Sequence, residues 1–228
     1  MMLQSIGKSR FYLYTAFLII LLSIHNINFN EKINNTFKIK KIILMGEIEN
    51  GLKEEISIAL NQFNNTNIFS INSKDIEIVL NKYNLISKYK IKKEFPSVLK
   101  VELKKTNILA YFFENNKKIY LGENGKKIKN LYLVNNDLPL IVGNLDIENF
   151  LYLKKKLLQN GFKINDFSKF YSFKSKRWDL VHKKKITIKL PIENLDYTLT
   201  LLREIIDKSN IDKIEIIDLR INKRIILS

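Results

Sequence analysis

The sequence predicts an α+β protein: one apolar leading helix, a compact β-α-α-β-β module, then a mixed β-rich module with two helices. Three observations carry this. Phe11 to Ile24 reads FYLYTAFLIILLSI without a charge. Residues 37–106 switch between helical and strand periodicity in one compact stretch. Residues 107–228 set short β-branched runs around two amphipathic stretches. The 228 residues suffice for one large domain or two small ones, and 46% apolar residues suffice for packed cores.

Residues 1–10 form a short tail and 11–27 the expected transmembrane helix. Seventeen helical residues span roughly 25 Å, short but workable for a bilayer core of about 30 Å. Lys8 and Arg10 precede it, which places the N-terminus in the cytoplasm and everything after the helix outside it. A cleaved secretory leader has the same layout, but its exit needs small residues, and Ser23-Ile24-His25-Asn26-Ile27-Asn28 offers few. Residues 28–36 read as a linker.

In the first module, Phe37 to Met45 is a β-branched run stopped at Gly46. Leu52, Ile56, Ala59, Leu60 and Phe63 recur at helical spacing. After Asn64-Asn65-Thr66-Asn67, Ser73 resembles an N-cap, and Ile76, Val79, Leu80 and Tyr83 form a second helical stripe. Ile86 to Phe95 and Val98 to Thr106 alternate apolar and charged residues, so they pair as a hairpin through Phe95-Pro96-Ser97. Two helices on one face of a three-stranded sheet bury a single core.

This order, with its motifs, resembles a POTRA domain of the kind carried by the bacterial cell-division family FtsQ/DivIB. Ile42-Ile43-Leu44-Met45-Gly46 stands at the family's "I-x-V-x-G" strand, and Asn67-Ile68-Phe69-Ser70-Ile71-Asn72 at its "N-[IL]-F-x-[IL]-[DN]" link. Pro96-Ser97-Val98-Leu99-Lys100-Val101-Glu102-Leu103 stands at its hairpin motif, after which Lys104-Lys105 replaces an acidic-basic pair. Ile119 to Lys126 resembles the family's "liDenGkvf" turn, with Leu121-Gly122 where an Asp is usual.

In residues 107–228, Leu138-Pro139-Leu140-Ile141-Val142-Gly143 resembles "LP-x-[IVL]-x-G". Phe150, Leu151, Leu153, Leu157 and Leu158 make a helical stripe. Trp178-Asp179-Leu180 and Ile186 to Leu190 resemble the family's hairpin, with its turn glycine replaced within His182-Lys183-Lys184-Lys185. Leu195, Leu199, Leu202, Ile205 and Ile206 predict an amphipathic helix. Ile214 to Arg220 resembles the closing "iDLR" strand, followed by Arg224-Ile225-Ile226-Leu227. The resemblance covers roughly residues 8–228.

Candidate chemistry is sparse. The chain has no Cys, so neither disulfides nor thiolate zinc sites are available, and His25 and His182 are too few for a multi-histidine metal site. His182 reads as an exposed turn residue, His25 as interfacial, Trp178 as core, and Gly122-x-x-Gly125 as a turn. No serine sits in a nucleophile elbow, so no enzyme, cofactor or small-molecule substrate is expected. The net charge is +16, yet only 5 of 39 basic residues are Arg, the residue that reads bases and phosphates bidentately. Ile, Lys and Asn dominate as AT-rich coding would make them. The charge therefore suits an anionic lipid surface as well as it suits nucleic acid, and no nucleic-acid role is expected.

What the resemblance implies is a single-pass inner-membrane scaffold of the septum, with periplasmic modules. Its partners would be the small coiled-coil division proteins FtsB and FtsL, together with other divisome components. They would be held through the C-terminal strand at Arg220, Ile221, Lys223 and Ile225 by strand addition at an open sheet edge. The alternative is a POTRA-bearing envelope receptor or chaperone for exported polypeptides, working through the edge of the first module's sheet.

Overall fold

A computed structural model describes residues 8–24, 35–129, 137–208, 214–221 and 224–228. The chain divides into two compact units, Met1–Lys82 with Tyr89–Lys104, and Tyr83–Lys88 with Lys105–Ser228. Helix α1 (Lys8–Ile24) has 17 residues. Of the expected span of 11–27, residues 11–24 lie in α1, and no helix among the described residues is long and apolar enough to cross a membrane. His25 to Ile27 lie outside the described residues. Apolar side chains surround α1, with Phe11, Leu13, Phe17, Leu18 and Ile20 all exposed. Thr15 Oγ1 donates to the carbonyls of Phe11 and Tyr12, so its hydroxyl is satisfied inside the helix.

The first unit contains β1 (Lys41–Met45), α2 (Asn50–Leu60), α3 (Ser73–Leu80) and most of β2 (Ile86–Glu94) and β3 (Val98–Lys105), the expected β-α-α-β-β order. Its sheet runs β1-β3-β2, with β1 parallel to β3 and Lys41 opposite Val98. A parallel neighbour needs a crossover, and the two helices supply it. They bury Ile56, Leu60, Ile76, Val79 and Leu80, while β3 buries Leu99, Val101 and Leu103. Two expectations shift. The first strand starts at Lys41, not Phe37. Asn65, at φ 62°, turns its loop back, so residues 37–39 bond there instead: Ile68 N–H donates to Phe37 O at 2.8 Å and Ile39 N–H to Thr66 O at 2.9 Å. The cap of α3 is Asn72, not Ser73, because its Oδ1 accepts from Lys74 N–H at 3.1 Å. Short 3₁₀ turns at Asn61–Phe63 and Ile164–Asp166 were not expected either.

The second unit holds β4 (Ile108–Glu114), β5 (Lys117–Gly122), β6 (Lys127–Ile128), β7 (Leu140–Gly143), α4 (Ile147–Gln159), β8 (Phe167–Ser172) and β9 (Trp178–His182). It ends with β10 (Thr187–Lys189), α5 (Leu195–Lys208), β11 (Ile216–Asp218) and β12 (Ile226–Leu227). All eleven strands and helices build around one sheet, in the order β12-β11-β10-β9-β8-β7-β4-β5-β6. The helices serve as crossovers again: α4 joins the parallel pair β7/β8, and α5 joins β10/β11. Their stripes, Phe150, Leu153 and Leu157 on α4 and Leu199 and Leu202 on α5, enter one core with Phe167, Phe170, Trp178, Leu180 and Ile188.

The turns follow from local chemistry. Asn115 and Asn116 both adopt positive φ, 51° and 60°, the requirement of the two-residue hairpin turn between β4 and β5. Lys185 takes φ 66° in the turn where a glycine was expected, and its N–H donates to His182 O at 2.8 Å. A non-glycine residue there costs about 1–2 kcal/mol. Gly143 has the opposite constraint: at φ 100°, a Cβ would stand 2.3 Å from Ser172 O on the paired strand. Gly143→Ala is therefore expected to cost about 3 kcal/mol of unfolding free energy. Lys185→Gly should instead gain about 0.5 kcal/mol, strain relief outweighing the added chain entropy. Urea titrations of both variants check the two signs.

Candidate functional site

Strands β9, β10 and β11 align Asp179, Lys189 and Asp218 in one cross-strand row, and Ile226 of β12 continues it. Alternation fixes the face: Leu180, Ile188 and Ile217 enter the core, so the charged neighbours stand on the other side. An arginine flanks each end of the row. Arg177 Nε lies 3.5 Å from Asp179 Oδ1, and neither atom has a hydrogen-bond partner. Arg220 Nε donates to Asp218 Oδ1 at 2.8 Å, and its terminal nitrogen to Oδ2 at 2.5 Å. The Arg220 backbone N–H adds a bond to the same carboxylate at 3.1 Å.

The two aspartates, both buried, answer differently. Hydrogen bonds from Arg220 hold the Asp218 carboxyl below the usual carboxylate range. Burial pushes Asp179 up, with the Arg177, Lys189 and Arg220 charges pulling against it. The difference is one of donors: Asp218 is saturated, while Asp179 has charge nearby but a bare oxygen.

Beside the row lies a groove of about 480 Å³ between the start of α5 and the chain after β11. Arg177, Tyr197, Leu201, Arg220, Ile221 and Arg224 line it. Three of the chain's five arginines thus meet in one place. Arg177 also stacks over the Phe173 ring, 4.2 Å from its centroid. The sequence reading missed Arg177, Tyr197 and Arg224. Arginine scarcity was the available signal, since in so lysine-rich a chain each Arg is an exception.

The sequence-predicted residues do not share one strand. Strand β11 ends at Asp218, so Arg220 and Ile221 lie in the turn beyond it, and Ile225 just precedes β12. Lys223 lies outside the described residues. The outermost strand is β12, which caps β11 with Ile217 opposite Leu227. Ser228 locks the end: its N–H donates to Ile216 O at 3.1 Å, and its carbonyl accepts from Glu215 and Ile216 N–H at 2.8 and 2.9 Å. Ile221, Ile225, Ile226 and Leu227 are each 41–51% exposed.

Other candidates resolve plainly. Trp178 is core, its Nε1–H donating to Asn149 Oδ1 and its ring facing Phe150 at 5.7 Å. His182 is half-buried, not exposed as expected. It packs edge-on against Phe167 at 5.7 Å, its Nδ1 accepts from Lys184 N–H, and burial lowers its pKa. Gly122 and Gly125 close a turn through a 3.0 Å backbone bond. His25 lies outside the described residues, and no cluster able to hold a metal occurs among those described.

The depressed Asp218 pKa gives a signed expectation. Its stabilisation is fully present above the unfolded carboxylate pKa of about 4 and is lost as pH falls through the lower folded value. Arg220→Gln should flatten the acid limb of the stability curve below pH 4, and a smaller destabilisation than at pH 7 should remain at pH 2. Urea midpoints between pH 2 and 7 measure this.

Two family models match the chain. The POTRA domain of FtsQ type covers residues 37–105, and the C-terminal domain of cell division protein FtsQ/DivIB covers residues 110–220. Among curated proteins no sequence matches. Among solved structures, the major extracytoplasmic domain of the cell division protein DivIB from Geobacillus stearothermophilus is similar, at 15% identity and a TM-score of 0.33 over 46% of this chain and 97% of that one. With both modules matched in order, the chain belongs to the FtsQ/DivIB family of bacterial cell-division proteins.

Proposed function

We propose that the protein is a non-catalytic scaffold of the division septum that captures FtsB/FtsL-like coiled-coil partners by strand addition at β12. The single observation behind this is that β12 ends the nine-stranded sheet, with its two side chains half exposed beside an arginine-lined groove. An edge strand offers unpaired backbone donors and acceptors to an incoming segment. Ile221 and Ile225 would give apolar contact. Arg220 and Lys223, with Arg177 and Arg224, would favour acidic side chains on the partner.

The scaffold reading includes a membrane tether, with α1 in the inner membrane, the N-terminus cytoplasmic and both modules periplasmic. Its support is the charge-free run from Phe11 through Ile24, apolar on all sides, after Lys8 and Arg10. Confining partners to a thin layer raises their effective concentration, so a two-residue edge strand suffices where it would be weak in solution. The protein would then link early division components to the later septal wall machinery without chemistry of its own.

Ile225→Glu, or Leu227→Glu at the strand itself, should lower co-purification of the coiled-coil partners at least tenfold, with an unchanged thermal midpoint. Undiminished capture by both folded variants would remove the proposed edge. Depletion should give filaments with unfinished septa, and a fluorescent fusion should gather at mid-cell.

A further inference from the structure

The first unit carries a feature that the C-terminal edge does not use. Phe37, Phe69 and Phe95 stack in a line, with centroids 5.0 Å apart for the first pair and 4.9 Å for the second. The Phe69 and Phe95 planes are only 24° apart. Yet Phe69 is 61% and Phe95 57% exposed. Folding has gathered three large apolar rings from three distant segments and left two of them in solvent, although this unit has a complete aliphatic core elsewhere. Such a patch marks a contact surface.

Its position follows from the sheet register. Lys41 of β1 pairs with Val98 of β3, and Lys40 N–H donates to Ser97 O at 2.9 Å. The Phe95-Pro96-Ser97 turn therefore stands at the entry end of β1. Phe69 joins them because Ile68 N–H bonds Phe37 O. The rings thus occupy the pole at which the chain enters the unit from α1. Twelve residues, 25–36, separate Ile24 from Phe37. At ~3.5 Å per residue, the patch can stand no more than about 45 Å from the end of the apolar helix.

The rim is basic. Lys38 follows Phe37 and pairs through its backbone with Asn67, and Lys40 is exposed beside the turn. Lys93 reaches Ile71 O with its ammonium at 2.6 Å, and Lys92 is exposed on the same strand end. Glu94, beside Phe95, is held by Lys100 at 2.8 Å and approached by Lys92 at 3.6 Å. Aromatic rings ringed by lysines suit the headgroup layer of an anionic bilayer, where rings sit at the apolar–polar boundary and ammonium groups meet lipid phosphates.

We propose that the Phe37–Phe69–Phe95 pole is a membrane-docking surface that rests on anionic phospholipid headgroups. It rests on the reading of α1 as a bilayer anchor. Docking would hold the first module against the membrane surface at this pole, converting a loose tether into an oriented one.

The chain has no cysteine, so a single introduced thiol takes a fluorophore uniquely. Ser70→Cys sits exposed beside Phe69, and Glu47→Cys sits exposed past the far end of β1. Full-length protein carrying either label would be reconstituted into phosphatidylglycerol–phosphatidylcholine vesicles containing a headgroup-level spin-labelled lipid quencher. The expected result is at least threefold stronger quenching at residue 70 than at residue 47. Phe69→Ser with Phe95→Ser should abolish the difference, and pure phosphatidylcholine vesicles should diminish it. Equal quenching at both positions in vesicle-embedded protein overturns docking while leaving the anchor intact, and would assign the stack to a protein partner. Protein that floats free of the vesicles overturns the anchor and the docking together.

Discussion

The parallel pairing of Thr187–Lys189 with Ile216–Asp218 is the constraint on which the C-terminal end of the large sheet depends. Parallel neighbours cannot be joined by a tight turn, so α5 must cross over between them. That crossover lays Tyr197 and Leu201 along one wall of the groove and brings Leu199 and Leu202 into the core. The same register puts Asp218 level with Lys189 and Asp179. Without it, Arg220 would lose its carboxylate, and β12 would have no strand to cap. A three-residue strand is weak by itself. Here it is held by Ser228 from one side, by Leu219 N–H donating to Lys189 O at 3.0 Å from the other, and by Ile217 in the core.

Local periodicity made most elements legible and left their neighbours hidden. The stripes of α4 and α5 could be read because buried positions recur at helical spacing, as Phe150, Leu153 and Leu157 do. The β-α-α-β-β order could be read from alternation in β2 and β3. Sheet order could not: β4 lies beside β7, with Tyr111 opposite Leu140, across 29 positions that carry no local trace of the pairing. For the same reason the scarcity of arginine could single out Arg177, Arg220 and Arg224 but not show that they converge. Phe37 to Ile39 looked like strand because Phe and Ile are β-formers. A loop folded back by Asn65 claimed their hydrogen bonds first. His182 looked exposed among lysines, yet a ring can lie on Phe167 while its neighbours point to water. The Asn115-Asn116 turn had a readable signal, since asparagine tolerates positive φ better than other non-glycine residues.

Two motif positions show how resemblance and physics meet. Gly46 and Gly143 each end a strand of their unit where the neighbouring strand's carbonyl approaches, 2.0 Å from a hypothetical Cβ at Gly46 and 2.3 Å at Gly143. The "x-G" endings of both segments are thus packing requirements. The departure at Lys185 differs in kind, because a turn needing positive φ tolerates lysine at a cost, while a backbone contact tolerates no side chain. In this chain the positive-φ turn positions Asn115, Asn116 and Lys185 carry side chains, while these two close approaches carry Gly.

The two surfaces differ in how much binding they can supply alone. β12 offers two residues of backbone pairing, about one hydrogen bond per residue, and each such bond nets only about 1 kcal/mol in water. That is too little for a stable complex unless side chains in the groove and a high local concentration assist. The bare aromatic pole has the opposite character, apolar area with few directed bonds, which suits a fluid surface better than a shaped partner. On the proposed reading the tasks would be separate: non-directional contact would keep the protein in place, and directional edge pairing with arginine selection would choose a partner. Weak selection would then be sufficient, because a tether would remove most of the search.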